Sequence, residues 1–300
     1  MPDIVLHLAV SALYGGLALH FWRTRWRTPE RRGAEPSASG MAGWERAAFI
    51  APLLLHAWLL QVDLIAPEQP RFGFGQALSV MLWLAVVIYW AESFFYNLDG
   101  MQPLVLPLAA LAVPLPALFP GMAVTHTASI EFKMHLMLGM AAYSVFTMAM
   151  LHALLMALAE RALHKKRAAL GNESGKVGNA STASGFLSGP LSGPLAGLPP
   201  LLTLERLLFR LIALAFVLLT LTLLTGFVFS ESLFGRALRF DHKTLFALLS
   251  WLTFAILLIG RYAYGWRGRT ALRFTLLGFV MLLFAYVGSR FVLEVILRRL

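Results

Sequence analysis

The chain has 300 residues, 59% of them hydrophobic and only 13% charged, with a net charge of +10 and no cysteine. So apolar a composition excludes an ordinary soluble domain and implies a polytopic membrane protein, and the missing cysteines exclude disulfides, zinc thiolate sites, thiol redox work and thioether attachment of a haem to this chain. Most lysines and arginines fall in short segments between apolar runs, where they set topology, so the positive charge does not point to nucleic acid.

The first apolar run, Ile4 to Trp22, is long enough to cross a hydrocarbon core of about 30 Å, and the basic stretch Trp22-Arg23-Thr24-Arg25-Trp26-Arg27 stops it. Its positive charge lies on the far side, so it reads as a span rather than a cleaved signal peptide. Gly33 to Gly43 is rich in Pro, Ser, Gly and Ala and reads as irregular. The second span runs from about Trp44 to Ile65. Ala66 to Gly73, with Pro67 and Pro70, forms a tight turn before a third span over Phe74 to Phe95. A fourth span, Pro103 to Met122, holds Pro107, Pro114 and Pro116 and is expected to be kinked or broken.

The fifth span, His135 to Leu158, ends in the basic residues Arg161, Lys165, Lys166 and Arg167. From Gly171 to Pro200 the chain is Gly/Ser/Pro-rich and repeats Leu-Ser-Gly-Pro, which predicts a flexible linker. Leu207 to Phe229, Thr244 to Leu258 and Leu272 to Leu297 complete an all-α, integral membrane protein of about eight transmembrane helices. It divides into a five-span half (1–160), a basic and Gly/Ser/Pro-rich linker (161–204) and a three-span half (205–300). Of the 25 Lys and Arg, 17 assign to the face of Arg27, Lys166 and Arg267 and eight to the face of Arg71, Lys133 and Lys243. The positive-inside tendency then puts both termini on the side away from the cytoplasm, the periplasmic side if the membrane is a bacterial inner one, with the linker in the cytoplasm.

Between the sixth and seventh spans, Glu231 to Lys243 packs a glycine, bulky apolar side chains and Asp241-His242-Lys243 into one polar loop. It reads either as a platform for a flat apolar ligand with polar edges or as an interfacial turn. The histidines are the available metal or proton handlers. His135 opens the fifth span at the same face as His242, and His126 lies in a loop there. His7 sits near the outer end of the first span, within reach of an external site, and His20 near its inner end. His164 reads as a solvated neighbour of lysines, and Glu92 as an interfacial anchor. His56 and His152 fall inside spans, at depths that allow them to meet. There they are either interhelical hydrogen-bonders or a ligand or proton pair.

Phe234, Gly235, Phe240, Asp241 and Lys243, in that order and spacing, resemble the tryptophan-rich external loop of the CcsA/CcmC-type cytochrome c assembly proteins. The likeness continues through Trp251, Gly265-Trp266-Arg267-Gly268 and the last span, and His135 with Tyr143 is similar to the start of the family's span that carries an external haem ligand. Phe234, Leu238 and Phe240 stand where the family has tryptophans, His242 where it has proline, and Gly288-Ser289-Arg290 where its second external histidine falls. That tail is closer to the CcsA-like YpjD/HemX subgroup.

The resemblance implies haem as a cofactor, with His135 as axial ligand and His242 or His7 as a second ligand or none. It implies aromatic packing by Phe234 and Phe240, and propionate pairing by Arg236, Arg239 or Lys243. Its partners would be the lipid bilayer and an apocytochrome c or other cytochrome c assembly proteins, and it would act as an assembly factor without turnover chemistry of its own. The alternatives are a haem-free scaffold or regulator acting through cytoplasmic loops and, ranked last, a transporter using His56 and His152.

Overall fold

The protein is described from a computed structural model over residues 2–26, 41–64, 71–123, 129–173, 200–234 and 241–297. Among these residues the α-helical segments in chain order are α1 (Pro2–Phe21), α2 (Gly43–Ala48), α3 (Ile50–Leu64), α4 (Phe74–Glu92), α5 (Gln102–Ala112), α6 (Leu115–Leu118), α7 (Ile130–Glu173), α8 (Leu201–Phe234), α9 (His242–Tyr264), α10 (Gly268–Leu283) and α11 (Ser289–Phe291). Wide π-type turns continue α1 over Trp22–Trp26 and flank α11 at Phe284–Gly288 and Val292–Ile296.

Among the described residues seven helices are long and apolar enough to cross a membrane: Ile4–Arg25, Gly43–Leu64, Phe74–Glu92, Ile130–Arg161, Leu201–Phe229, His242–Tyr264 and Gly268–Ile296. The eighth expected span is a shorter apolar segment, Gln102–Leu118. It breaks between α5 and α6 at Val113-Pro114, because a proline there has no amide to continue the ladder. All the long spans are helical, as hydrocarbon requires of backbone that must satisfy its own hydrogen bonds. Two short strands add to the helical expectation: Arg71–Phe72 pairs antiparallel with Met122–Ala123, Phe72 opposite Met122, and ties the α3–α4 connection to the end of α6.

α7 is the hub. It packs against α4, α8 and α10, and its apolar surface runs all the way round, as a central helix needs. Ala142, Ala149 and Ala153 are fully buried and let neighbours approach closely, and Phe146 stacks on Phe254 of α9 with centroids 4.0 Å apart. α7 begins five residues before the expected fifth span and continues past Arg161 to Glu173, so the basic run is helical. Likewise α8 starts at Leu201 and carries Glu231 to Phe234 of the expected loop.

The Gly-Trp-Arg-Gly segment is the turn that reverses α9 into α10. Gly265 takes φ 66°, a left-handed helix cap open to glycine, Trp266 packs on Phe274 with centroids 5.0 Å apart, and Arg267 reaches Glu205 of α8 at 3.3 Å.

Alternating chain direction gives the bundle two ends. One carries the end of α3, the β pair, the starts of α4, α7 and α9 and the ends of α8 and α10; the other carries Arg25, Glu45, Asp99, Glu205 and Arg261.

Candidate functional site at the His135 end of the bundle

His135 lies one and a half turns into α7 and is half-buried. Its Nδ1 lies 3.0 Å from the Thr225 hydroxyl of α8, which itself donates to the Thr222 carbonyl at 3.0 Å. The ring also packs closely on the next residue: a Cβ placed on Gly226 would come within 3.1 Å of the imidazole, so a larger residue there would have to push the ring aside by a few tenths of an ångström. Thr225 therefore orients the ring through Nδ1, and the Thr222 backbone is a second hydrogen-bond partner of the imidazole.

The far side of the loop begins at Asp241, the N-cap of α9. Its Oδ1 accepts from the Thr244 amide at 3.0 Å and the Thr244 hydroxyl at 3.2 Å. Partial burial works to raise its pKa, but these bonds and the charges of Lys243 and His242 outweigh it and hold the carboxyl below its ordinary value. The family's aspartate position is thus a helix cap here. His242 follows it as an exposed first residue of α9, and the half-buried Lys243 is close enough to Arg290 for the two charges to repel. Phe234 ends α8, while Gly235 and Phe240, with Arg236, Arg239 and His126, lie outside the described residues.

The segment that departs from the family pattern is built into the fold. Arg290 lies over the Tyr286 ring at 5.7 Å and donates to Met122 Sδ at 3.2 Å. One turn on, the buried Glu294 carboxylate lies against Gly73 at the start of α4. Tyr143 closes the same region, donating to the Leu282 carbonyl at 2.6 Å where α10 widens.

The other histidines have partners of their own, and for His56 and His152 these are contacts to a neighbouring helix. His56 and His152 are kept apart: His56 bonds the Ser79 hydroxyl at 2.9 Å, and His152 lies 3.4 Å from the Glu92 carboxylate. Those two partners are thirteen residues apart on α4, about 20 Å along its axis. Each histidine also has a neighbour of its own, Tyr14 edge-on for His56 and the Met148 carbonyl at 2.9 Å for His152. Glu92 is consequently not a free interfacial anchor; it faces inward to His152. His7 is not spare for an external ligand either, since it is buried and 3.1 Å from Asp63. His20 contacts Glu45 at 3.1 Å.

Sequence reasoning missed Thr225 and Gly226, whose only signal was a small polar pair inside a leucine-rich span. It also missed Arg25, which joins Glu45 at 2.8 Å and Asp99 at 3.3 Å at the opposite end.

The fold and this end of the bundle define a multi-pass helical membrane protein in which one histidine, His135, is oriented by a neighbouring helix and Asp241 caps another. Residues 47–297 match the family model described as cytochrome C assembly protein, and the chain belongs to that family. It is 28% identical to the inner membrane protein YpjD of Escherichia coli strain K12 over 263 residues, 85% of this chain and 89% of that protein. Over shorter stretches it is similar to the cytochrome c biogenesis protein CcsA of Prochlorococcus marinus strain MIT 9515, 39% identical over 88 residues, 29% of this chain and 28% of that one. It is also similar to CcsA of Chlamydomonas reinhardtii, 36% identical over 91 residues, 30% of this chain and 26% of that one. No solved structure matches. Family and apolar helices together make it a multi-pass protein of the bacterial inner membrane with a role in cytochrome c biogenesis.

Proposed function

We propose that this protein holds haem at its periplasmic end, with His135 as the protein's iron ligand, and presents it during cytochrome c assembly to an apocytochrome or another assembly protein. The observation that carries this reading is the His135–Thr225 contact. A ligating histidine is oriented by a hydrogen bond to its other ring nitrogen, and here Nδ1 is engaged and Nε2 faces away from it. A haem iron takes only one or two protein ligands, so one oriented imidazole suffices, and the exposed His242 is the candidate for the second. Lys243 and Arg290, two cations near one another, suit the two carboxylates of a porphyrin. Bound haem would supply the iron and the group to be handed on; the chain would bind and orient it.

The test is an absorbance spectrum and pyridine haemochrome assay of the detergent-purified protein and of His135→Ala, both expressed with ample haem. A Soret band that weakens or shifts in the variant supports the reading. A colourless parent at good yield refutes it. That result would favour the second reading, a haem-free scaffold, which the tying of Arg290 to Met122 and Tyr286, at the place of the family's second histidine, supports.

A further inference from the structure

At the opposite end of the bundle a cavity of about 490 Å³ opens between α7 and α10. Its wall carries Arg161 and His164 from α7, Arg269 and Arg273 from the first turns of α10, and Glu160; Leu272 supplies apolar floor. Three guanidinium groups against one carboxylate leave a net charge of +2.

At this end Arg25 pairs with Glu45 and Asp99, and Arg261 and Arg267 pair with Glu205. Among the described residues Arg161, Arg269 and Arg273 make no ion pair. Glu160 turns instead toward the start of α10, where a Cβ on Gly268 would stand 3.4 Å from its carboxylate oxygen. It meets the positive end of that helix. Three cations facing one cavity repel each other unless an anion joins them.

The level of the cavity identifies the anion. The stretches of α7 and α10 that are apolar and long enough to cross a membrane end at Arg161 and begin at Gly268, so the arginines lie at the polar ends of those stretches, the level that suits headgroups. Leu272 lies one turn deeper, at the depth of acyl chains. We propose that this cavity is a binding site for the phosphate of an anionic phospholipid, held by Arg161, Arg269 and Arg273 with the acyl chains against the lower α7–α10 surface. Guanidinium forks match phosphate oxygens in pairs, and basic pockets between transmembrane helices at this level take such headgroups. The site is independent of the haem reading, which concerns the other end.

The test is native mass spectrometry of the full chain in detergent, titrated with phosphatidylglycerol, phosphatidylcholine or glycerol 3-phosphate. One saturable phosphatidylglycerol adduct is expected, with phosphatidylcholine bound far more weakly. Arg269→Ala/Arg273→Ala should weaken it about thirtyfold, the attraction of two basic side chains. Arg206→Ala/Arg210→Ala removes the same charge from α8 and should leave it within about twofold. If the alanine pair does not fold, Arg269→Lys/Arg273→Lys keeps the charge, loses the forks and should bind several-fold more weakly. Equal binding of the two lipids, equal weakening by the α8 pair, or unchanged binding in both α10 pairs would overturn the proposal. Displacement by equimolar glycerol 3-phosphate would assign the cavity to a soluble phosphate ester and overturn the lipid.

Discussion

Replacing Arg25 by Ala tests how the first span is held to the rest of the bundle. Its guanidinium, with a side chain only 9% exposed, lies 2.8 Å from Glu45 and 3.3 Å from Asp99, whose side chains are 6% and 3% exposed. Glu45 has further partners in the Ala42 amide at 2.8 Å and His20, while Asp99 belongs to the α4–α5 connection. Removing one partner of a buried ion pair strands the other charge and costs about 3–5 kcal/mol. Here two carboxylates lose the guanidinium, and Glu45 keeps its amide and His20 contacts, so a loss at the lower end, about 3 kcal/mol, is expected for Arg25→Ala.

The added substitution Asp99→Asn removes one of the two negative charges that Arg25 balanced and should restore part of the loss. Unfolding in a graded mixture of mild and denaturing detergent, followed by tryptophan fluorescence, measures both. A loss below about 1 kcal/mol, the range of an exposed pair, or strict additivity of the two changes, would refute the idea of a coupled buried clamp.

Four further outcomes follow from the same geometry. Thr225→Val keeps the shape beside His135 but removes the hydroxyl at Nδ1, and should weaken haem binding roughly tenfold to a hundredfold, read as a Soret titration; equal affinity would mean that Thr225 does not orient the ring. Tyr143→Phe removes the bond to the Leu282 carbonyl and should cost about 1–3 kcal/mol, measured by the same detergent titration.

His152→Leu leaves Glu92 without its imidazole partner and should be more destabilising than His152→Leu/Glu92→Leu, because an apolar pair is often tolerated where a half-pair is not; the reverse order of midpoints would contradict the contact. Asp241 caps α9 as a carboxylate, and its pKa is lower folded than unfolded. Its contribution is therefore complete above the unfolded value of about 4 and is lost as the pH falls through the lower folded value. Asp241→Ala should cost about 1 kcal/mol at neutral pH, and hydrogen exchange at the Thr244 amide should speed up in that variant and, in the parent, on acidification.

Span number and place were legible because hydrocarbon imposes length and apolarity on each segment separately, so Phe74 to Glu92 or His242 to Tyr264 can be recognised without neighbours. Pro107, Pro114 and Pro116 marked the broken segment for an equally local reason, the missing amide. The family was legible in residues that do local work, among them the Asp241 cap and the Gly265 turn. The partners of the histidines were not. Depth from the membrane surface gives one coordinate of a side chain, whereas a pair needs the angle of each helix about its axis as well. His56 and His152 had depths that allowed contact, and α4 separates them, one opposite Ser79 and the other opposite Glu92.

The sequence by itself thus determined the class of the protein, its membrane spans and its lineage, since these follow from composition and from short motifs whose residues lie within one turn of each other. Only the tertiary structure decided that Thr225 orients His135, that Arg25 joins three segments, and that the arginines of α7 and α10 converge on one cavity. Those contacts depend on how helices far apart in the chain rotate and pack, and no periodicity in a single apolar span records the face that its neighbour will take.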